Sequence, residues 1–126
     1  MITSEIENIK KLIRKGLGTK VDEILLIGSC ARNEKNPSDI DLVIKFQPSQ
    51  DFEKIKNTVE NTLANHLVFV GPEETRYHAP TFPSPPPKPK NVLPIHITLS
   101  PSDQYSGSKI EIMSKNDAII IYSKVA

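Results

Sequence analysis

The sequence predicts an α/β (α+β) domain, because segments with a helical period alternate with short runs typical of β-strands. Apolar residues recur at helical spacing in residues 3–15 and 51–66. Residues 24–27 form a continuous apolar run, and residues 38–46 alternate apolar and polar side chains. At 126 residues, the chain is long enough for one hydrophobic core. We therefore expect a single domain over residues 1–126.

The first helix is expected at residues 3–15, with Gly16 and Gly18 ending it. Its apolar stripe is formed by Ile6, Ile9, Leu12 and Ile13. The first strand follows at residues 21–27 and is of the buried type, because its apolar run is unbroken near the end. The second strand, residues 38–46, is entered through an Asn-Pro pair.

The second half of the chain predicts a helix, residues 51–66, and a short extended piece, residues 67–70. The buried side of that helix is formed by Phe52, Ile55, Val59 and Leu63. A strand is expected at residues 92–99, a loosely helical segment with Ile110 and Met113 inward at residues 102–115, and a last strand at residues 118–122.

The residues richest in chemical information are 24–46, "ILLIGSCARNEKNPSDIDLVIKF". Gly28 allows a tight turn after the first strand and a close approach of a ligand. The segment that starts at Ser29 is expected to open a short helix, whose first N–H groups attract phosphate oxygens. The Ser29 hydroxyl adds a donor, and Arg32 can reach the same anion with its planar guanidinium. The turn therefore predicts a triphosphate site.

Two carboxylates begin the second strand. Alternation places Asp39 and Asp41 on one face with Val43 and Lys45, and the apolar side chains of Ile40, Leu42, Ile44 and Phe46 on the other. Two like charges side by side are costly unless a cation joins them. Mg²⁺, or Mn²⁺ in its place, suits such oxygen ligands together with substrate phosphates. The pattern predicts a metal site across from the Gly-Ser turn.

The segment "GSCARNEKNPSDIDLVI" resembles the signature of the DNA polymerase β-type nucleotidyltransferase superfamily. More narrowly, it is similar to small "minimal nucleotidyltransferase" domains. The resemblance implies a short mixed β-sheet flanked by helices. It also implies transfer of a nucleotidyl group from NTP to a hydroxyl, with release of pyrophosphate. By position, Gly28 and Ser29 would hold the triphosphate, Arg32 matches an arginine of the small members, and Asp39 and Asp41 would be metal ligands.

The resemblance also implies a third carboxylate, the general base, on a later strand. The matching strand here is "VLPIHITL", and the residue in the acidic position is His96. Imidazole can act as a base near neutral pH but is a poor ligand for magnesium. Two interpretations stay open: His96 is the base of a two-carboxylate site, or the chain binds nucleotide with little or no catalysis. Asp103 is a substitute acid that lies beyond the strand.

Residues 71–91 hold seven of the eleven prolines and are expected to form an extended, proline-rich loop inserted in the domain, neither a regular helix nor a central strand. Three interpretations stay open. The loop is a plain insertion, a flap beside the nucleotide site, or a ligand for a proline-binding module. As a flap it would bring Arg76, Tyr77, His78 or Phe82 to the substrate.

Composition excludes several other classes. Sixteen basic and fifteen acidic residues give a net charge of +1, so the charge does not indicate a nucleic-acid acceptor, although a local basic patch is compatible with it. The single cysteine, Cys30, excludes an internal disulfide. The phosphate-loop motif G-x-x-x-x-G-K-[ST] is absent from the sequence. With neither a secretory leader nor an apolar run of membrane length, the chain is expected to be cytoplasmic.

Two functions follow as hypotheses. The first is a Mg²⁺-dependent nucleotidyltransferase that uses NTP and an acceptor hydroxyl, with Asp39, Asp41 and His96 as catalytic residues. The second is a weakly active or inactive nucleotide-binding partner, such as the nucleotidyltransferase half of a toxin–antitoxin pair with a helical protein. The resemblance alone suggests that helical partner. Pairing with a second copy of the chain stays open.

Overall fold

The computed structural model describes residues 2–35, 40–63, 69–74, 95–107, 111–112 and 116–124. The helices are α1 (Ile2–Leu17), α2 (Gly28–Ala31) and α3 (Phe52–Thr62). The strands are β1 (Val21–Ile27), β2 (Ile40–Phe46), β3 (Phe69–Glu74), β4 (Ile95–Pro101) and β5 (Ile119–Ser123). Short 3₁₀ turns at Gly18–Lys20 and Ser102–Gln104 precede β1 and follow β4.

The described strands form one mixed sheet in the order β3-β4-β2-β1-β5. β1 runs antiparallel to both β2 and β5, whereas β4 runs parallel to β2 and β3. The predicted class, a mixed sheet flanked by helices, is confirmed.

The main core lies between this sheet and the helices α1 and α3. The helices contribute Ile9, Ile13, Leu17, Ile55 and Val59, and Leu63 follows α3 directly. β2 contributes the predicted apolar set Ile40, Leu42, Ile44 and Phe46. A smaller cluster of Leu25, Ile27, Val43 and Tyr105 lies apart from the main core. Because neighbouring residues of a strand point to opposite faces, Val43 and Asp41 lie on the face that α1 and α3 leave uncovered.

Two helix ends differ from the prediction. α1 continues through Gly16 and ends at Leu17, directly before Gly18, where φ is +58°. Gly16 is a packing residue, because a Cβ there would lie 2.5 Å from Oγ1 of Thr62 on α3. α3 begins after Asp51, whose side chain accepts a hydrogen bond from the Glu53 N–H (3.0 Å) as an N-cap. It ends at Thr62, and residues 64–66 of the predicted helix lie outside the described residues.

The predicted start of the proline-rich loop at Gly71 is wrong, because β3 continues to Glu74 and includes Pro72. β3 is the outer strand beyond β4, and an outer strand tolerates the missing N–H of proline. The rest of that loop lies outside the described residues, and so do Arg76, Tyr77, His78 and Phe82.

Smaller differences occur toward the end of the chain. Residues 92–94 of the predicted β4 lie outside the described residues. The loose helix predicted for residues 102–115 is absent at its start, where a 3₁₀ turn at Ser102–Gln104 is followed by a turn at residues 106–107. Residues 111–112 are helical as predicted, and the rest of that segment lies outside the described residues. Ile110 and Met113 lie outside the described residues. In the described part of the chain, no helix has the length and apolar character that crossing a membrane requires.

Candidate active site

One edge of the sheet brings together several of the residues that the sequence predicted to form a site. Ile27, the last residue of β1, is paired with Asp41, and Asp41 is in turn paired with His96 of β4. β1 ends at this edge, whereas β2 and β4 begin there, so Gly28, Asp41 and His96 are neighbours in space. Antiparallel pairing of β1 with β2 and parallel pairing of β2 with β4 together create this arrangement.

The Gly28 turn fits closely against the Asp41 carboxylate. Gly28 has φ of +74°, a conformation that residues with a Cβ rarely adopt. A Cβ built at this position would lie 2.8 Å from Oδ2 of Asp41. Glycine is therefore required here both for the backbone conformation and for the space that the carboxylate occupies.

The turn opens α2, as the sequence predicted. The Arg32 N–H donates to the Gly28 carbonyl oxygen at 3.0 Å, and the Glu34 N–H donates to that of Ser29 at 3.1 Å. Ser29 is only 7% exposed, so it lies within the turn beside the sheet. These two hydrogen bonds fix the backbone conformation of the turn.

The His96 ring contacts Asp41 directly. Its Nδ1 lies 3.2 Å from Oδ1 of Asp41, within hydrogen-bond distance. The two side chains are partly accessible, 31% for His96 and 23% for Asp41, so a substrate can reach both. As register partners on adjacent strands, they lie on the same face of the sheet.

Arg32 lies on the surface and binds two carboxylates instead of an open anion site. Its Nε lies 2.7 Å from Oε2 of Glu34, and its Nη1 lies 3.1 Å from Oδ2 of Asp117. These hydrogen bonds, that of Glu34 first and that of Asp117 second, raise the pKa of Arg32, so the side chain stays charged. Sequence reasoning did not identify Asp117 as a partner of Arg32.

Asp103, the substitute acid considered from the sequence, is not near this site. It lies in the 3₁₀ turn that follows β4, whereas His96 is at the start of that strand. At about 3.3 Å per residue, the length of β4 separates the two residues by roughly 20 Å. Asp103 therefore cannot replace the third carboxylate.

Of the two predicted metal ligands, Asp39 and Asp41, the structure describes Asp41. Asp41 offers a partly exposed carboxylate, the hard oxygen ligand that Mg²⁺ and Mn²⁺ accept, and its position against Gly28 fits such a site. Asp39 lies outside the described residues. Among the residues that the structure does describe, no three acidic, histidine or cysteine side chains come together as a metal cluster.

At this edge of the sheet, the Gly28–Ser29 turn lies against Asp41 near the start of β2. The protein-family model described as nucleotidyltransferase domain matches residues 6–80, which is more than half of the chain. The chain therefore belongs to the nucleotidyltransferase domain family, of the DNA polymerase β type, as the sequence predicted. The match includes Gly28, Ser29 and Asp41 but ends before His96. Neither curated proteins nor solved structures give a match to this chain.

Proposed function

We propose that this protein transfers a nucleoside monophosphate from NTP to an acceptor hydroxyl with the help of Mg²⁺ or Mn²⁺. The observation that carries the proposal is the contact of three parts at one edge of the sheet. The Asp41 carboxylate lies between the Gly28 turn and the His96 ring. Family membership supplies the general reaction, and this geometry supports specific roles for the residues.

The Gly28–Ser29 turn would bind the triphosphate. Backbone N–H groups at a turn into a helix carry partial positive charge, and a phosphate oxygen can accept from them. The Ser29 hydroxyl can donate to the same group. The missing side chain of Gly28 lets the Asp41 carboxylate lie against this turn, beside the proposed place of the phosphates. Arg32 would reach the phosphates only by exchanging its contact with Glu34 or Asp117.

Asp41, together with Asp39, would hold the divalent cation. Bound there, the cation would neutralise charge on the phosphates as they are attacked. Asp41 itself keeps a second role, since its Oδ1 faces His96 Nδ1. A carboxylate that accepts from Nδ1–H orients the imidazole and places the lone pair of the neutral ring on Nε2.

His96 would then accept the proton of the attacking hydroxyl. The acceptor oxygen forms a bond to the α-phosphorus while the bond from that phosphorus to the β-phosphate bridging oxygen breaks. Pyrophosphate leaves with the bonding electrons, and the hydroxyl proton passes to Nε2 of His96. In this role His96 performs what the family resemblance assigns to a third carboxylate.

The transfer assay tests the proposal as a whole. The purified chain is incubated with labelled NTPs, Mg²⁺ or Mn²⁺, and RNA, protein or small-molecule acceptors. We expect acceptor-dependent release of pyrophosphate that EDTA abolishes. A folded protein that transfers nothing to any acceptor yet binds NTP would overturn the proposal. It would favour the second candidate, a nucleotide-binding partner protein, which the replacement of the third carboxylate by His96 supports.

Changing His96 separates these two candidates. We expect His96→Gln to lower kcat about 10²-fold or more, because general-base catalysis contributes roughly 10²–10⁴-fold. KM for NTP should change little, since the ring is not proposed to bind the triphosphate. His96→Asp, which supplies a carboxylate at the same register position, should retain more activity than His96→Gln. Equal kcat for the wild type and His96→Gln would show that the histidine takes no part in the reaction.

A further inference from the structure

A cleft lined by cations lies at the opposite end of the sheet from Asp41. Its volume is about 470 Å³, and it lies between the end of α1, the 3₁₀ turn before β1, and the end of β5. We call it the basic cleft, and its charged residues are Lys11, Arg14, Lys15 and Lys124. β1 connects the cleft to Gly28, and seven strand residues at about 3.3 Å each separate the two by roughly 20 Å.

Among the described residues, no acidic side chain forms an ion pair with the four cations of the basic cleft. Of the described residues that line it, none is acidic. The described acids nearest in sequence have other contacts: Glu7 pairs with Lys10, Glu23 pairs with Lys45, and Asp22 accepts from the Ser102 hydroxyl. Four cations thus face one opening in a chain whose net charge is only +1. Such a concentration of charge attracts polyanions.

Two of the cations are held in place by the fold. The Arg14 guanidinium lies over the Tyr122 ring, with Cζ 4.3 Å from the ring centre. The Lys124 ammonium donates to the Thr19 carbonyl oxygen at 3.0 Å, and the Lys124 N–H donates to that of Asp22 at 2.8 Å. Neither contact neutralises the charge of its cation, because neither a ring face nor a carbonyl oxygen is an anion. The cleft therefore presents ordered positive charge.

We propose that the basic cleft binds the phosphate backbone of a single-stranded nucleic acid. The spacing of the cations favours a strand over a single phosphate ion. Lys11 and Lys15 are one helical turn apart, about 6 Å along the axis of α1. Two cations at that separation can each contact one of two neighbouring phosphates of a strand. Lys124 extends the charge across to β5. The Tyr122 ring is covered by Arg14, so recognition depends on phosphate charge and not on base stacking.

This proposal does not depend on nucleotidyl transfer, because the basic cleft shares no residue with the Asp41 site. It assigns the protein a nucleic-acid-binding surface that the overall charge does not indicate. A strand bound there could extend toward the transfer site or serve only to locate the protein on nucleic acid.

Fluorescence anisotropy tests the proposal with fluorescein-labelled 12-nucleotide single strands, in about 50 mM salt and EDTA. We expect binding that weakens with salt, because each phosphate contact contributes about −0.7 to the slope of log K against log salt. The triple variant Lys11→Gln, Lys15→Gln, Lys124→Gln should bind roughly 10-fold or more weakly and reduce that slope by about 2. Circular dichroism confirms that the variant is folded.

Two control variants make the result specific. Lys54→Gln with Lys56→Gln removes charge from α3, outside the basic cleft, and should bind like the wild type. Asp41→Asn should also bind like the wild type, because EDTA keeps divalent cations from the transfer site. Absence of strand binding would overturn the proposal, as would equal losses in the triple variant and the Lys54/Lys56 control. Loss of binding in Asp41→Asn would also overturn it. Binding of inorganic phosphate or triphosphate without binding of the strand would show an anion site of a different kind and would overturn it too.

Discussion

Replacing Asp41 with asparagine is expected to lower nucleotidyl transfer by about 10³-fold or more while the protein stays folded. The change removes a charge but keeps the shape, and asparagine retains an oxygen that can contact His96. Stabilisation of the transferring phosphoryl group by a carboxylate-held cation is worth several kcal/mol, and each 1.36 kcal/mol is a factor of ten in rate. The transfer assay measures the loss, and calorimetry with ATP and Mg²⁺ measures the accompanying loss of affinity.

Asp103→Asn is the matched control for this change. It removes the same charge from an exposed carboxylate at the far edge of the sheet, so activity should equal that of the wild type. If Asp41→Asn kept both transfer and Mg²⁺-dependent binding of ATP, the acidic start of β2 would not be a metal site. A loss in Asp103→Asn as large as that in Asp41→Asn would point to a general effect of charge.

Adding a single methyl group at Gly28 is expected to have the second largest effect. The Cβ of Gly28→Ala would lie 2.8 Å from Asp41 Oδ2, so either the turn or the carboxylate must shift. A misplacement of about 1 Å can cost roughly 10²-fold in rate, and we expect at least that loss of transfer. The positive φ adds about 1–2 kcal/mol of destabilisation, measured by denaturant unfolding.

Gly107→Ala distinguishes the steric effect from the backbone effect. Gly107 also has a positive φ, +81°, but nothing lies within 4 Å of its Cβ position. We expect a similar loss of stability and unchanged transfer. Activity losses of equal size in both variants would mean that strain, and not contact with Asp41, explains the behaviour of Gly28→Ala.

The sequence predicted the sheet and helices well where local pattern and tertiary packing agree. The alternation of β2 predicted its buried face, and all four apolar side chains of that face are in the core. Gly16 shows the limit of such reasoning. It was interpreted as a helix stop, whereas its small size serves the contact between α1 and Thr62 of α3. A sequence does not distinguish a glycine needed for conformation from one needed for space.

The candidate site was predictable where its residues are adjacent in sequence. It was less predictable where contacts depend on how the strands pair. The structure brings Gly28, Asp41 and His96 together as expected, because β2 lies between β1 and β4. The ion pair of Arg32 with Asp117 could not be predicted, since the two residues are 85 positions apart and meet only through the folding of β5 beside β1. The basic cleft was not predicted for a similar reason. Its cations come from both ends of the chain, and the acidic residues elsewhere keep the net charge at +1.

The central claim is that a divalent cation and the triphosphate meet between Asp41 and the Gly28 turn. Amide NMR with trace Mn²⁺ and a non-hydrolysable ATP analogue tests it most directly, since a paramagnetic ion broadens the signals of nearby residues. We predict that the signals of Gly28, Ser29, Asp41 and His96 disappear first, and that those of Thr19 and Lys124 persist. In Asp41→Asn this selective broadening should vanish. Broadening centred on other residues, or unchanged in Asp41→Asn, would contradict the account.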